Sequence, residues 1–143
     1  MGAYKNILIV VDLSESSTRI AERAKQIAGD AALTLLHVVE YVPLEPIGET
    51  LLPAIQIEDE LVQRAKGKLA VLAQQLDLSN CTQLVETGSI KGEIVRVAQE
   101  RKTDLIVVGS RERHGLAILV NFTEDTVLHA APCDVLAVRL KHR

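Results

Sequence analysis

Short apolar runs alternate with turn residues along this chain, and none of the runs is long enough to build a helix. The clearest are Thr103-Asp104-Leu105-Ile106-Val107-Val108-Gly109-Ser110 and Ala131-Pro132-Cys133-Asp134-Val135-Leu136-Ala137-Val138. The first ends abruptly in Gly-Ser, and a helix-length interval separates it from the second. The opening run, Asn6-Ile7-Leu8-Ile9-Val10-Val11, stops in the same manner at Asp12-Leu13-Ser14. Continuous β-branched runs between breakers mark strands buried on both faces, the habit of parallel sheets. They predict strands over about 5–11, 33–39, 81–86, 104–108 and 134–139.

The intervals carry helical periodicity. Glu15–Ala28 places Ile20, Ala24, Ile27 and Ala28 on one face, with Ser14 or Ser16 to cap its start and Gly29 to end it. In the longest interval, Tyr41-Val42-Pro43-Leu44-Glu45-Pro46-Ile47-Gly48 predicts a loop, and the Pro43–Pro53 stretch is the segment expected to serve contacts. From Ile55 onward, Ile57, Leu61, Ala65, Leu69, Leu72 and Leu76 form a stripe of about six turns. Thr87-Gly88-Ser89 leads into a helix carrying Ile94, Val97 and Ala98, and the last crossover predicts a helix over about 120–130. Every strand-to-strand interval is long enough for a crossover and none is a tight hairpin. Parallel pairing follows, and right-handed crossovers put helices on both faces of the sheet. The fold class is therefore α/β, a single doubly wound domain over residues 1–143.

Composition narrows the function. Apolar residues make up 48% of the chain and aromatics 2%, so the core is aliphatic and platforms for stacking nucleic-acid bases are missing. A net charge of −3 supplies no basic footprint for DNA. Cys81 and Cys133 are too few for a disulfide framework and suit a reducing compartment. The first apolar run is too short to cross a membrane and has no cleavage site after it, so the expectation is a cytoplasmic protein with no nucleic-acid or membrane partner.

In an open parallel sheet, ligands sit beyond the strand carboxyl ends, where the strand order reverses. Strands one and four carry the polar exits, Asp12-Leu13-Ser14 and Gly109-Ser110-Arg111. Asp12 offers a carboxylate to a ribose, an adenine or Mg²⁺; equally, it or Ser14 serves only to start the next helix. Gly109-Ser110-Arg111-Glu112-Arg113-His114-Gly115 reads as a loop whose amides and arginines suit phosphate, or as a solvated turn. Neither a Walker sequence nor a dinucleotide fingerprint occurs. His129 and Cys133, with His114 upstream, lack the spacing of a zinc site. His37, inside strand two, reads as a hydrogen-bonded core residue, and no Ser/His/Asp constellation has recognisable mechanics.

With these residues in place, the whole chain resembles the universal stress protein family. The likeness lies in Tyr4 to Ser14, Leu35-Leu36-His37-Val38, Thr87-Gly88-Ser89, Asp104 to Ser110 and Ala131 to Val138. It implies a five-stranded parallel sheet of order 3-2-1-4-5 and a homodimer paired through the fifth strands. Some members bind ATP through an aspartate like Asp12, a strand-two residue like Val38 and a motif Gly-x-x-Gly-x9-Gly-Ser/Thr after strand four. Here Gly109 begins that motif, but Glu112 takes the second glycine position, and Asn121-Phe122-Thr123 stands where Gly-Ser/Thr should open the last helix. Glutamate brings negative charge toward phosphates. The chain is thus similar to the universal stress protein A branch, which lacks the motif.

The resulting expectation is a dimeric stress-response module, not an enzyme, with weak or lost ATP binding. The alternative is an ATP-binding switch with slow hydrolysis, holding ATP and Mg²⁺ through Asp12, Val38, Gly109, Ser110, Arg111 and Thr123. A phospho-acceptor receiver domain shares the layout but needs paired acids and an acceptor aspartate after strand three, where Glu86-Thr87-Gly88 supplies none. As an uncovered edge strand, Asp134–Leu140 would pair with its own copy and bury Val138 and Leu140 across a two-fold axis.

Overall fold

Strand β1 (Asn6–Val10) is the centre of the molecule: it pairs in parallel with β2 (Ala32–Val39) on one side and β4 (Leu105–Arg111) on the other. The computed structural model describes residues 3–40, 51–111 and 130–140. Beyond β2 lies β3 (Thr82–Thr87), and beyond β4 lies β5 (Asp134–Leu140), so the five-stranded sheet runs β3-β2-β1-β4-β5 with every pair parallel. The order reverses between β1 and β4. A single α/β domain with the expected topology results.

The sheet's two faces are covered by different helices. Helix α1 (Ser17–Ala28) and helix α2 (Leu51–Gln75) pack on one face, against Ile7, Ile9, Leu35, Leu105, Val107, Val138 and Leu140. Helix α3 (Ile90–Glu100) covers the other through Ile94, Val97 and Ala98, against Leu8, Leu36, Val38, Ile106 and Val108. Along β1 the buried residues thus alternate between two aliphatic layers, which is why the run reads as continuously apolar. Each fully buried leucine or isoleucine contributes about 1.5–3 kcal/mol.

All five strands lie within three residues of their expected bounds, but four local expectations need correction. Strand β4 does not stop at Val108; Gly109, Ser110 and Arg111 continue in register with Val138, Arg139 and Leu140. Helix α2 begins at Leu51 rather than near Ile55, because Pro53 falls in the first turn, where an amide has no intrahelical partner to lose. Ile27 is 37% exposed, at the rim of an arc formed by Ser17, Ile20, Ala21, Ala24 and Ala28. Ile57 is 49% exposed, because each four-residue step overshoots a helical turn by about 40° and the stripe rotates away from it. The Tyr41–Gly48 loop and the helix expected over about 120–130 lie outside the described residues, Ala130 excepted.

Helix ends follow the local chemistry. Gly29 closes α1 with φ 58°, as expected of a glycine there. Ser89 caps α3, its Oγ accepting from the Gly92 N–H at 3.1 Å. Glu86, Glu93 and Glu100 surround Arg96 at 3.0, 2.6 and 2.9 Å, tying the end of β3 to α3. No helix among the described residues is long and apolar enough to cross a membrane.

Candidate functional site

The carboxyl edge of the sheet brings together the ends of β1, β2 and β4. After Val10, the Val11 N–H still donates to the Leu36 carbonyl at 2.9 Å, and then the chain leaves the ladder at Asp12. His37 of β2 shares in that exit: its Nδ1 lies 2.9 Å from the Val11 carbonyl, so the histidine is hydrogen-bonded as expected, but it is half-buried at the sheet's carboxyl edge rather than in the core. Because a carbonyl can only accept, Nδ1 carries the proton.

Asp12 is exposed, and its Oδ1 gathers the turn around it. It accepts from the Ser14 N–H at 2.9 Å, the Ser14 hydroxyl at 2.6 Å and the Ser17 hydroxyl at 3.1 Å. Ser14 Oγ in turn accepts from the Ser16 N–H at 3.3 Å. Neither Ser14 nor Ser16 caps α1 in the expected manner: Ser16 sits in helical backbone without a side-chain cap bond, and the carboxylate organises the first turn instead. The helix-starting role of Asp12 is therefore real, and it leaves the carboxylate at the surface of the switch point.

Between Asp12 and Ser14, Leu13 adopts φ 65°. A leucine in the left-handed region costs about 1–2 kcal/mol. Packing of Leu13 against the α1–α2 core and the Asp12 hydrogen bonds hold it there. Ser17, 0% exposed, is the buried hydroxyl that makes this possible. Sequence reasoning missed both residues: nothing in Asp-Leu-Ser announces a positive φ, and Ser17 resembles any first-turn serine.

The other expected site residues are placed differently from one another. Val38 is buried in the layer facing α3. Gly109 lies at the end of β4 with its open side turned to the opposite layer: a Cβ there would stand 2.7 Å from Leu140 Cδ1 and 2.8 Å from Ile20 Cδ1. A side chain at Gly109 would have to displace the ends of Leu140 and Ile20, so the glycine suits the close packing of α1 and β5 on the sheet. Ser110 and Arg111, expected in a phosphate loop, belong to the β4–β5 ladder. Thr123, Glu112, Arg113, His114, Asn121, Phe122 and His129 lie outside the described residues. No cluster of three metal-ligating side chains occurs among the described residues.

At the amino edge, Tyr4 donates to Asp134 Oδ2 at 2.9 Å, which raises the phenol above its usual range. Burial, and then the charges of Asp104 and Asp134, push the Cys133 thiol up. A groove of about 760 Å³ runs from here along β5, lined by Arg19, Arg23 and Ile27 of α1 and by the strand itself. In it Arg19 Nε donates to the Arg139 carbonyl at 2.9 Å. Val138 and Leu140 do not face outward for a partner, as the edge-strand reading required; they are 4% and 6% exposed inside the protomer's own core.

A sequence profile of the universal stress protein family matches residues 3–139, which include every described strand but the last residue of β5. The chain belongs to that family. Among its relatives, universal stress protein A homolog 2 of Coxiella burnetii is 39% identical over 99% of both chains. Homolog 1 of the same organism is 34% identical, over 96% of this chain and 98% of its own. Among solved structures, universal stress protein UspA from Lactobacillus plantarum superposes with a TM-score of 0.81 at 27% identity, covering 97% of this chain and all (100%) of that one. A universal stress protein in complex with cAMP shares the fold, with a TM-score of 0.63 at 23% identity over 96% and 98% of the two chains. As a universal stress protein, the chain has the fold's switch point intact and its β1 exit built around Asp12.

Proposed function

We propose that this universal stress protein is a cytoplasmic, dimeric regulatory module of the stress response, with weak or lost ATP binding and no enzymatic activity. The observation that carries the reading is the extension of β4. Its Gly109–Arg111 backbone continues the ladder with β5, and the open side of Gly109 is taken by Ile20 and Leu140. Backbone committed to a ladder is not shaped to cradle phosphates, and Glu112 adds a negative charge beside it. Titration calorimetry with ATP and Mg²⁺ tests this, and denatured protein should release no nucleotide. A dissociation constant of about 1 μM or tighter, worth roughly 8 kcal/mol, would show that the crevice is a working nucleotide site.

The strained Leu13 turn beside Asp12 favours a second reading, since strain held by surrounding structure collects at binding sites. In that reading the protein is an ATP-binding switch with slow hydrolysis, its ribose on Asp12 and its phosphates toward Gly109, Ser110 and Arg111, with Val38 and Thr123 as the further contacts that the family's motif suggests. The relative solved with cAMP makes cyclic nucleotide a second ligand to titrate. Under this reading Arg111→Ala weakens ATP more than adenosine; equal losses exclude that orientation.

Self-association would use the outer edge of β5, from Asp134 to Leu140, beside the groove bounded by Arg19 and Ile27. An antiparallel pairing of two such strands is centred on Ala137, whose side chain is exposed. Ala137→Lys therefore sets like charges across the axis without disturbing the protomer core. Sedimentation should give a dimer for the wild type at tens of micromolar, about the range for contacts of this size, and a monomer for the variant.

A further inference from the structure

Helix α2 has a second patterned face that its own fold does not use. Ile57 and Val71 are 49% and 52% exposed, and with Arg64 they recur every seven residues. Seven-residue recurrence is the seam spacing of helices that pair with helices. Exposed Glu60, Gly67 and Lys68 and half-buried Leu61 complete the face. Gly67 has no local reason to be glycine: a Cβ would meet nothing within 4 Å, and its φ is not positive. Glycine in a helix interior is destabilising relative to alanine, so its use on an open face suits close approach by another chain. Among the described residues, no ion pair or side-chain hydrogen bond engages Glu60, Arg64 or Lys68.

We infer that the occupant is a second copy of this chain, packed with its α2 antiparallel about a two-fold axis at Arg64. In that register Ile57 meets Val71 of the second copy, Glu60 meets Lys68, and Leu61 projects into the space above Gly67. The two Arg64 side chains meet at the axis, each one turn from a Glu60 on either helix. A parallel pairing sets Glu60 on Glu60 and Lys68 on Lys68, so charge selects the antiparallel one. The face borders a groove of about 860 Å³ whose other wall is Leu13, Ser14 and Thr18, which adds contact area beside the helix. The contact is distinct from the β5 edge, and the two together turn dimers into larger assemblies. A single helix pair is a small interface, so the association is weak and falls as salt rises.

Sedimentation of the full chain in an Ala137→Lys background separates this contact from the β5 edge. Association at a few hundred micromolar, on the order expected of small interfaces, is the predicted result. Glu60→Lys alone and Lys68→Glu alone each weaken it about tenfold, and the two together on one chain restore it to within about threefold. Gly67→Met supplies a better helix former, so it keeps the fold while blocking the approach of Leu61 and weakening association. A background protein that stays monomeric throughout means that the face is not covered by a second copy and overturns the inference. Single swaps without effect, or a double swap that fails to restore association, overturn it as well.

Discussion

Asp104 and Asn6 are bonded to each other twice, once through the Asp104 side chain and once backbone to backbone. Asp104 Oδ1 accepts from the Asn6 N–H at 2.9 Å, and the Asn6 carbonyl accepts from the Asp104 N–H at 2.9 Å. The other carboxylate oxygen accepts from the Lys5 N–H at 2.8 Å. This one side chain thereby fastens the amino ends of β1 and β4 together, at the end of the sheet away from the switch point. Asp104→Ala should lower the unfolding free energy by about 1–2 kcal/mol, since the part-buried Asn6 amide and the exposed Lys5 amide lose their acceptor. Asp104→Asn, which keeps one acceptor, should lose less. Urea denaturation of the three proteins measures this, and an unchanged midpoint for the alanine variant would contradict it.

Gly109→Ala should destabilise by about 1 kcal/mol, the low end for overpacking, since the new methyl group stands 2.7 and 2.8 Å from the terminal methyls of Leu140 and Ile20, which must shift to admit it. Trimming the neighbour should relieve it: Gly109→Ala/Ile20→Val should be less destabilised than the sum of the single variants. A strictly additive thermal-melt cycle would mean that the helix does not press on the strand here.

The effect of Gly92→Ala should depend on residue 89. Its Cβ would lie 2.6 Å from Ser89 Oγ, so the substitution disrupts the α3 cap at a cost of about 1 kcal/mol. In a Ser89→Ala background no cap remains to lose, and the same change should stabilise by up to about 1 kcal/mol through helix propensity. The opposite signs are the test, read by thermal melts on the four proteins of the cycle.

Alkylation should find Cys133 slow at neutral pH. Burial raises its folded-state pKa above that of a free cysteine, and Asp104 and Asp134 add to the rise, so the reactive thiolate forms only at more alkaline pH. Asp134→Asn removes one of those charges and should move the midpoint of the rate profile downward. Cys81, raised by burial but drawn down by Lys25, should not follow that variant. In stability terms, the raised value favours the fold below the unfolded thiol's pKa, and the benefit fades as pH rises through the folded one.

The strands were legible because parallel strands buried on both faces leave unbroken β-branched runs, and Ile7-Leu8-Ile9-Val10 has nothing else to be. Strand ends were less so. Gly109-Ser110 reads as a terminator by composition, yet the β5 ladder holds it extended, a tertiary effect that no local window contains. The helices gave their faces but not the limits of those faces, as Ile27 and Ile57 show. At the site, the positions of Asp12 and His37 followed from where the runs stopped. Leu13 did not follow, because its backbone is set by the Asp12 bonds and core packing around it rather than by its own preference. Val138 and Leu140 read as partner contacts because sequence shows an edge strand as bare, whereas α1 already covers that side of it.

The centre strand has a consequence for synthesis. β1 precedes the other four strands of the sheet in the chain, so it leaves the ribosome before them, and its β2 neighbour follows after a single short helix. Its contact with β4 closes across 98 residues of chain. Until β4 emerges, this buried strand has one flank with no partner, in a nascent chain that already holds β2 and β3. Long-range parallel pairings of this kind form slowly and leave edges exposed meanwhile. A universal stress protein with this topology is itself vulnerable while it is being made, and its yield under heat should depend on how quickly residues 105–111 follow β1, β2 and β3, or on a chaperone that shields β1 until they do.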